Sequence, residues 1–313
     1  MELKGGQEGA SAKRGASGRV AAAAETVAKG EPSAALVAAR TYVQADLTEI
    51  ELHRFLDGVV GVFSARCPGK ATVNEDACAL IPFDGAAGVL AVADGAGGMP
   101  AGEEASRLAI EALVAHLTET ARDPDLLRAE GALRGAILDG IEAANRAVLG
   151  MSNGAATTLS VVEIQGNLAR PYHVGDSLIL LTSQRGRVKL QPTAHSPVGY
   201  AVESGLLDES EAVHHDDRHL VSNLIGTAEM KIEVGPPIEL APRDTLVLAS
   251  DALPDNLFVD EIVELSRIGP IAKVTRALVE HSRERMERPV AGKPSHPDDT
   301  TVLVFRLRGR ARG

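Results

Sequence analysis

The segment VLAVADGAGGMPAGEEAS, residues 89–106, decides how the rest of the chain is interpreted. An apolar run of β-forming residues ends at Asp94, four glycines follow before residue 103, and a helix is predicted to begin between Ala101 and Glu103. A plain turn needs only one or two glycines, so this pattern is typical of backbone that approaches a ligand closely. The alternative is a glycine-rich strand-to-helix turn that binds nothing.

Apolar, β-rich runs on both sides of this segment predict strands at residues 59–64, 76–83, 88–93, 157–164, 168–174, 178–182, 244–249 and 300–307. Asp84-Gly85 and Gly166-Asn167 have the residue types of tight hairpin turns, so the strands that they connect must be antiparallel. Helical periodicity occurs in pairs, at 102–118 with 123–148 and at 259–267 with 270–286. Strands in blocks and helices in pairs favour an α+β fold of antiparallel sheets with helices layered outside.

The two ends of the chain differ in composition from this middle part. Residues 1–45 are rich in Ala, Gly and Lys with few large apolar side chains, which predicts a flexible tail. Residues 46–58 are an ambiguous lead-in, because the local pattern fits either a strand or a helix that begins at Asp46. A folded domain is predicted over 59–308, followed by a basic tail at 309–313.

Composition and charge narrow the classes of function. The 313-residue chain has a formal net charge of −11, which disfavours binding to nucleic acid and to anionic membrane surfaces. No apolar run is long enough to span a bilayer, and the N-terminus lacks the pattern of a secretory signal. Cys67 and Cys78 provide neither a disulfide framework nor zinc-finger spacing. We therefore expect a cytoplasmic protein, and a monomer.

Five acidic segments lie at the ends of predicted strands. They are NEDACAL with Glu75 and Asp76, AVADGAGG with Asp94, HVGDSLIL with Asp176, VLASDALPDN with Asp251 and Asp255, and HPDDTTVLVF with Asp298 and Asp299. If the fold brings these acids to one edge, their mutual repulsion and desolvation must be offset by positive charge. No Lys or Arg lies inside LAVADGAGG, VLASDALPD or HPDDTTV, and His and Cys show no consistent ligand spacing. Mg²⁺ or Mn²⁺, which prefer oxygen ligands, therefore fit better than zinc.

Paired cations of this kind suggest a reaction. Two such ions can share a water molecule and lower its pKa, which makes that water a nucleophile for phosphorus. In this interpretation Asp94 supplies a carboxylate, and the glycines after it allow a backbone carbonyl, that of Gly95, to approach a metal or its waters.

Taken in order, the segments resemble the successive motifs of the metal-dependent protein phosphatase family, type 2C, in its bacterial serine/threonine form. The resemblance covers residues 60–307 and rests on NEDA, VADGAGGMPAGEEAS, GAATTLSVVEI, HVGDS, TAHSPV, GLLDESEAVHHDDRHLVSNLIG, LVLASDALPDN and PDDTTVLVF. It implies a four-layer α-β-β-α sandwich, in which two antiparallel sheets are flanked by helix pairs. The stretch 191–226 matches a flap-like region beside the site.

The resemblance also implies a site and a reaction. Two Mn²⁺ or Mg²⁺ ions would be held by Asp76, Asp94, the Gly95 carbonyl, Asp251 and Asp298, with Glu75 acting through bound water and Asp176 at a third, weaker site. The implied activity is hydrolysis of phosphoserine and phosphothreonine in proteins, as part of bacterial signalling, by a water that bridges the two ions.

Among the positions that depart from the family pattern, two bear on substrate binding and on the leaving group. The usual phosphate-binding arginine is replaced by Ala71, which leaves the neighbouring Lys70 as the candidate substrate-binding cation, without the bidentate fork of arginine. Position 96, which often carries His or Met, is alanine and offers no side-chain acid for the leaving group. A second interpretation is therefore a catalytically weak or inactive relative that binds phosphoproteins as a regulatory module. A third, a purely structural β-sandwich, predicts no metal binding.

Two histidine motifs are interpreted structurally. HHDDRH at 214–219 looks like a metal cluster, but histidine-rich loops are often only solvated. His195 in TAHSPV is expected to form hydrogen bonds within a loop rather than to act as a base.

Overall fold

A computed structural model describes residues 32, 35–83, 87–99, 101–122, 131–212 and 215–308. The strands are β1 Arg40–Val43, β2 Glu51–Phe55, β3 Gly58–Ala65, β4 Asp76–Pro82, β5 Ala87–Asp94, β6 Leu159–Gln165, β7 Leu168–Val174, β8 Leu178–Thr182, β9 Val188–Leu190, β10 Glu233–Val234, β11 Ile238–Glu239, β12 Thr245–Ala249 and β13 Thr300–Leu307. The helices are α1 Gly102–Thr120, α2 Ala132–Leu149, α3 Pro197–Glu203, α4 Glu209–Ala212, α5 Val259–Ser266 and α6 Ile271–Glu287.

The described strands form two antiparallel sheets. The first has the order β1-β4-β5-β6-β7-β10, with β11 also paired to β7, and the second has the order β2-β3-β13-β12-β8-β9. The predicted antiparallel pairing of β4 with β5 and of β6 with β7 is confirmed. Gly166 adopts a φ of 57° in the turn between β6 and β7, a conformation that glycine reaches without steric cost. Asp84 and Gly85 lie outside the described residues.

Alternation of side chains along the strands separates three apolar cores. In β4, Ala77 and Ala79 pack toward α1 and α2, whereas Cys78 and Leu80 lie between the two sheets. The outer face of the second sheet packs on α5 and α6, with Val304 of β13 in that core. The layers are therefore α-β-β-α, and the predicted fold class is confirmed. No helix in the described ranges combines the length and the apolar composition that crossing a membrane requires.

The predictions for the N-terminal part need correction. β1 lies inside the predicted flexible tail 1–45, so that prediction is wrong for Arg40–Val43, which pairs with β4. The strand is held because Tyr42 is buried and its hydroxyl donates a hydrogen bond of 2.7 Å to Glu51 of β2. Within the lead-in 46–58, β2 pairs with β3, so the helix alternative is wrong. Residues 1–31, the predicted helix start at 123 and the tail 309–313 lie outside the described residues.

The anchoring role of Tyr42 can be tested by stability measurements. Tyr42→Ala is expected to lower the free energy of unfolding by about 3 kcal/mol, because it removes a fully packed aromatic ring and leaves a cavity. Urea denaturation measures this value. Val37→Ala is the matched control, because Val37 is 92% exposed in the same segment, and it should change the free energy of unfolding by less than about 0.5 kcal/mol. An unchanged Tyr42→Ala variant would mean that β1 is not part of the folded unit.

Candidate metal centre

The β4–β5 pair places two of the predicted acids side by side. Asp76 begins β4, Asp94 ends β5, and the two residues are direct partners across the antiparallel ladder. The Asp94 backbone is held on its other side, because its N–H donates to the Thr158 hydroxyl at 3.0 Å and its carbonyl accepts from the Thr158 N–H at 2.8 Å. The Thr157 hydroxyl also donates to that carbonyl, at 2.7 Å. Regular strand pairing therefore fixes the backbone positions from which both carboxylate side chains extend.

The glycines after Asp94 have a structural reason of their own. A Cβ atom on Gly95 would lie 2.4 Å from the Gly102 carbonyl oxygen, so only glycine fits where the end of β5 meets the start of α1. Gly98 has a φ of 76°, which also favours glycine. The Gly95 N–H donates to the Glu75 carbonyl at 3.1 Å, which joins this loop to the segment before β4. The glycines thus satisfy close packing, whether or not the Gly95 carbonyl also faces a ligand.

The second sheet contributes Asp251 and Asp298 to the same region. Asp251 follows β12 and Asp298 precedes β13, and these two strands are neighbours. The Asp251 N–H donates to Asp94 Oδ2 at 3.3 Å, a hydrogen bond that joins the ends of the two sheets. Asp176, in the loop after β7, interacts electrostatically with Asp298 and with Asp255. The structure therefore brings together the carboxylates that the sequence places at separate strand ends.

The clustered carboxylates destabilise one another's ionised forms. Burial is the largest cause that raises the pKa of Asp76, Asp94 and Asp251 well above the ordinary value. A neighbouring carboxylate is the next cause in each case. Asp298 acts on Asp76, Asp251 acts on Asp94, and Asp255 acts on Asp251. Burial raises the pKa of Asp176 to about 7 and that of Asp298 to about 6. The surrounding protein therefore does not supply the positive charge that this cluster would need in its fully ionised form.

Two unsatisfied oxygen atoms in this cluster are acceptors that a divalent cation would satisfy. Among the described residues, Asp76 Oδ2 and Asp251 Oδ1 are buried and have no hydrogen-bond partner. Buried acceptors without donors, next to repelling carboxylates, are the condition that a hard cation relieves. In the part of the chain that is described, no three His, Cys, Asp or Glu side chains are already gathered into a group that could hold a metal ion. Mg²⁺ and Mn²⁺ suit such an open arrangement, because Mg²⁺ in particular keeps several waters and needs few direct protein ligands.

Lys70 neutralises two other carboxylates at the edge of the cluster. Its ammonium group donates to Glu75 Oε2 at 2.5 Å and to Asp299 Oδ2 at 2.6 Å. Burial lowers the pKa of Lys70, but these hydrogen bonds raise it more, and the net value is above the ordinary one. Asp299 is buried and also accepts the backbone N–H groups of Cys67 and Glu75, each at 2.7 Å. The sequence carries no signal for this role of Asp299 beyond the paired aspartates of PDDTT.

The flap-like segment 191–226 is joined to the Asp176 loop by His195. The buried His195 ring accepts hydrogen bonds at Nδ1 from the Gly175 N–H at 3.1 Å and from the Asn223 amide at 2.9 Å. Its Nε2 lies 3.0 Å from a Glu233 carboxylate oxygen. The prediction that His195 forms hydrogen bonds within a loop is confirmed.

The same segment contacts Asp255 through two residues of the HHDDRH motif. Arg218 Nη2 lies 2.7 Å from Asp255 Oδ1, and His219 Nδ1 lies 3.1 Å from Asp255 Oδ2. Burial raises the pKa of Asp255, but the His219 hydrogen bond and the Arg218 charge outweigh burial and hold that pKa below its ordinary value. The interpretation of this motif as a solvated loop is confirmed for the exposed His215, Asp216, Asp217 and His219, whereas Arg218 is largely buried against Asp255. His214 lies outside the described residues.

The protein is a four-layer sandwich of two antiparallel sheets between helix pairs. Acidic side chains at the strand ends of both sheets form a candidate divalent-cation centre. Residues 65–285 match the family model described as Protein phosphatase 2C. A protein phosphatase 2C-type protein of Streptococcus pyogenes is 32% identical over 204 residues, which cover 63% of this chain and 79% of that protein. The serine/threonine protein phosphatase PstP of Mycobacterium tuberculosis is 30% identical over 225 residues, which cover 69% of this chain but only 40% of PstP.

A superposition on a solved structure supports the same relationship as these sequence comparisons. The catalytic domain of PstP, in complex with two manganese ions, superposes with a TM-score of 0.61 at 28% identity, and the match covers 80% of this chain and 98% of that domain. This chain therefore belongs to the protein phosphatase 2C family, whose named relatives are protein serine/threonine phosphatases.

Proposed function

We propose that this chain hydrolyses phosphoserine and phosphothreonine in proteins with the help of two divalent cations, Mn²⁺ or Mg²⁺. The residues that would hold the cations are Asp76, Asp94, Asp251 and Asp298, together with the Gly95 carbonyl and, through water, Glu75. The observation that carries the proposal is the junction of the two sheets, where Asp94 pairs with Asp76 and accepts the Asp251 N–H. The two manganese ions in the PstP catalytic domain support the choice of metal.

The chain's own residues act mainly by holding charges in fixed positions. When bound, the cations would supply positive charge that lowers the pKa of a shared water and offsets charge on the phosphoryl group. The Asp94 N–H donates to Thr158, and the Asp251 N–H donates to the Asp94 carboxylate. These two hydrogen bonds fix the carboxylates before substrate arrives, which reduces the reorganisation needed during reaction. Asp176 is the candidate for a third, weaker cation site. We expect phosphorylated proteins as substrates and a cytoplasmic setting.

The contacts of Lys70 favour a second candidate function. Because its ammonium group already binds two carboxylates and position 71 is alanine, the site has a weaker phosphate-binding cation than an unpaired arginine would provide. This observation favours a slow or inactive relative that binds phosphoproteins as a regulatory module.

Turnover and cation binding together distinguish these functions. The experiment measures hydrolysis of p-nitrophenyl phosphate and of a phosphothreonine peptide with Mn²⁺, Mg²⁺ or EDTA, together with calorimetric titration of Mn²⁺. A phosphatase turns over both substrates with Mn²⁺ and loses activity in EDTA. Mn²⁺ binding without turnover identifies the inactive relative, and no Mn²⁺ binding identifies a structural sandwich.

The contribution of Lys70 to substrate binding can be measured separately. An ammonium group has three N–H donors, and two of them bind Glu75 and Asp299, so one can still reach a phosphate oxygen. Lys70→Ala is expected to raise KM about 10-fold with a smaller change in kcat, because it removes attraction that acts on bound substrate. Arg66→Ala is the matched control, because Arg66 pairs with the exposed Asp46 at 3.0 Å. An unchanged KM would mean that Lys70 serves only its two carboxylates.

A further inference from the structure

His219 lies near the candidate metal centre, because its charge acts on Asp176 and its partner Asp255 acts on Asp251. Ala96, which follows the proposed carbonyl ligand Gly95, has no group that could donate a proton. His219 comes from the flap-like segment, and 41% of its side chain is exposed, so it is accessible from solvent. Its Nδ1 lies 3.1 Å from Asp255 Oδ2.

Asp255 orients the His219 ring. A carboxylate only accepts hydrogen bonds, so the His219 nitrogen that faces it carries a proton, and Nε2 remains at the opposite edge of the ring. The other Asp255 oxygen is occupied by Arg218 at 2.7 Å. Flap side chains contact both oxygens, so Asp255 holds the flap beside the site. An aspartate that fixes one imidazole nitrogen while the other faces the reaction is a recurring arrangement in acid–base catalysis.

The surroundings of His219 place it next to the acidic cluster. Its ring centroid lies 4.1 Å from that of His296, and His296 Nε2 lies 3.9 Å from Asp298 Oδ2. Asn256 fixes the His296 backbone, because its side chain accepts the His296 N–H at 2.9 Å and donates to the His296 carbonyl at 2.7 Å. The charged groups near His219 are thus Asp255 and Arg218, with His296 against its ring and Asp176 within electrostatic range.

We propose that His219, oriented by Asp255, is the general acid that protonates the leaving oxygen. This inference rests on the proposed phosphatase function. A water oxygen forms a bond to phosphorus while the bond from phosphorus to the serine or threonine oxygen breaks, and the electron pair of the broken bond passes to that oxygen. The leaving oxygen takes the proton from His219 Nε2. The phosphate product keeps one proton of the water, and the other returns through solvent to His219.

The basicity of the leaving group separates an acid from a residue that only shapes the site. A serine or threonine oxygen is strongly basic and needs a proton as it leaves, whereas p-nitrophenolate leaves readily without one. Removal of the general acid should therefore slow hydrolysis of the peptide far more than hydrolysis of the aryl ester. Loss of a purely structural contact should slow both substrates equally.

The test compares the two substrates in His219→Asn, with Mn²⁺ present. The asparagine amide can still donate toward Asp255, but the proton donor at Nε2 is gone. We expect kcat on a phosphothreonine peptide to fall about 100-fold and kcat on p-nitrophenyl phosphate to fall less than about 3-fold. We also expect the peptide kcat of the wild type to fall at high pH, and that fall should be absent in the variant. His215→Asn is the matched control, because His215 is exposed in the same motif, and it should leave both substrates unchanged.

The remaining outcomes would contradict the inference. Equal losses on both substrates would make His219 a structural residue of the flap, and unchanged rates on both would remove it from the site. In either case an active wild type leaves the proposed function intact. A wild type that turns over neither substrate with Mn²⁺ would overturn the proposed function, and the inference with it.

Discussion

Asp94→Asn and Asp298→Asn are each expected to lower the Mn²⁺-dependent kcat/KM on p-nitrophenyl phosphate by at least about 1000-fold. Removal of a group that provides major electrostatic stabilisation of the transition state has an effect of this size. Asp94 lies at the junction of the two sheets, as the strand partner of Asp76 and the acceptor of the Asp251 N–H. An amide has nearly the shape of a carboxylate but no charge, so it cannot offset a divalent cation. Steady-state hydrolysis with saturating Mn²⁺ measures the effect.

The control for this pair is Asp57→Asn. Asp57 is an exposed acid in the β2–β3 turn, at the end of β3 opposite the site, because Ala65 at the other end pairs with Thr300. This variant should keep wild-type kcat/KM. Undiminished activity in Asp94→Asn or Asp298→Asn would remove that residue from the site.

The second large effect concerns stability without metal. Burial raises the pKa of Asp298 to about 6 and that of Asp176 to about 7, both above the value of about 3.9 expected in the unfolded chain. The folded state therefore binds protons more tightly. The contribution of Asp298 and Asp176 to the free energy of unfolding is fully present below pH about 4, and it is lost as the pH rises through about 6 to 7. We expect the Tm in EDTA to fall over this range.

Mn²⁺ should reverse this loss because it favours the ionised carboxylates. At a free Mn²⁺ concentration 100 times its Kd, the folded state would gain about 2.7 kcal/mol. Differential scanning calorimetry in EDTA and in Mn²⁺, at pH 5 and pH 7.5, should show a Tm increase of several degrees at pH 7.5 and little at pH 5. An equal increase at both pH values would indicate that Mn²⁺ binds away from the carboxylates.

The parts of the fold that follow from local sequence could be predicted. Apolar β-rich runs locate β4 and β5, and their short connection makes them antiparallel, whereas the register that places Asp76 opposite Asp94 comes from the structure. In α2, apolar side chains at helical spacing, such as Ile137 and Ile141, likewise identify the buried face. In these segments the local pattern and the tertiary environment favour the same structure.

The parts that depend on distant partners could not be predicted. β1 has little apolar character, and it is ordered by Tyr42, whose hydroxyl binds Glu51 on the other sheet. Lys70 looked like an available cation because its partner Asp299 lies 229 positions away in the chain. The pairing of His219 is invisible in the sequence for the same reason, since Asp255 reaches it only in the folded molecule. Long-range ion pairs of this kind leave no periodic signal in the sequence.

Anomalous diffraction from crystals soaked in Mn²⁺ would reveal whether acids from both sheets share divalent cations, as we propose. We expect two manganese peaks in the acidic cluster, in contact with the carboxylates of Asp94, Asp251 and Asp298. Manganese peaks confined to other surfaces, with those three carboxylates in contact with none, would overturn the proposal.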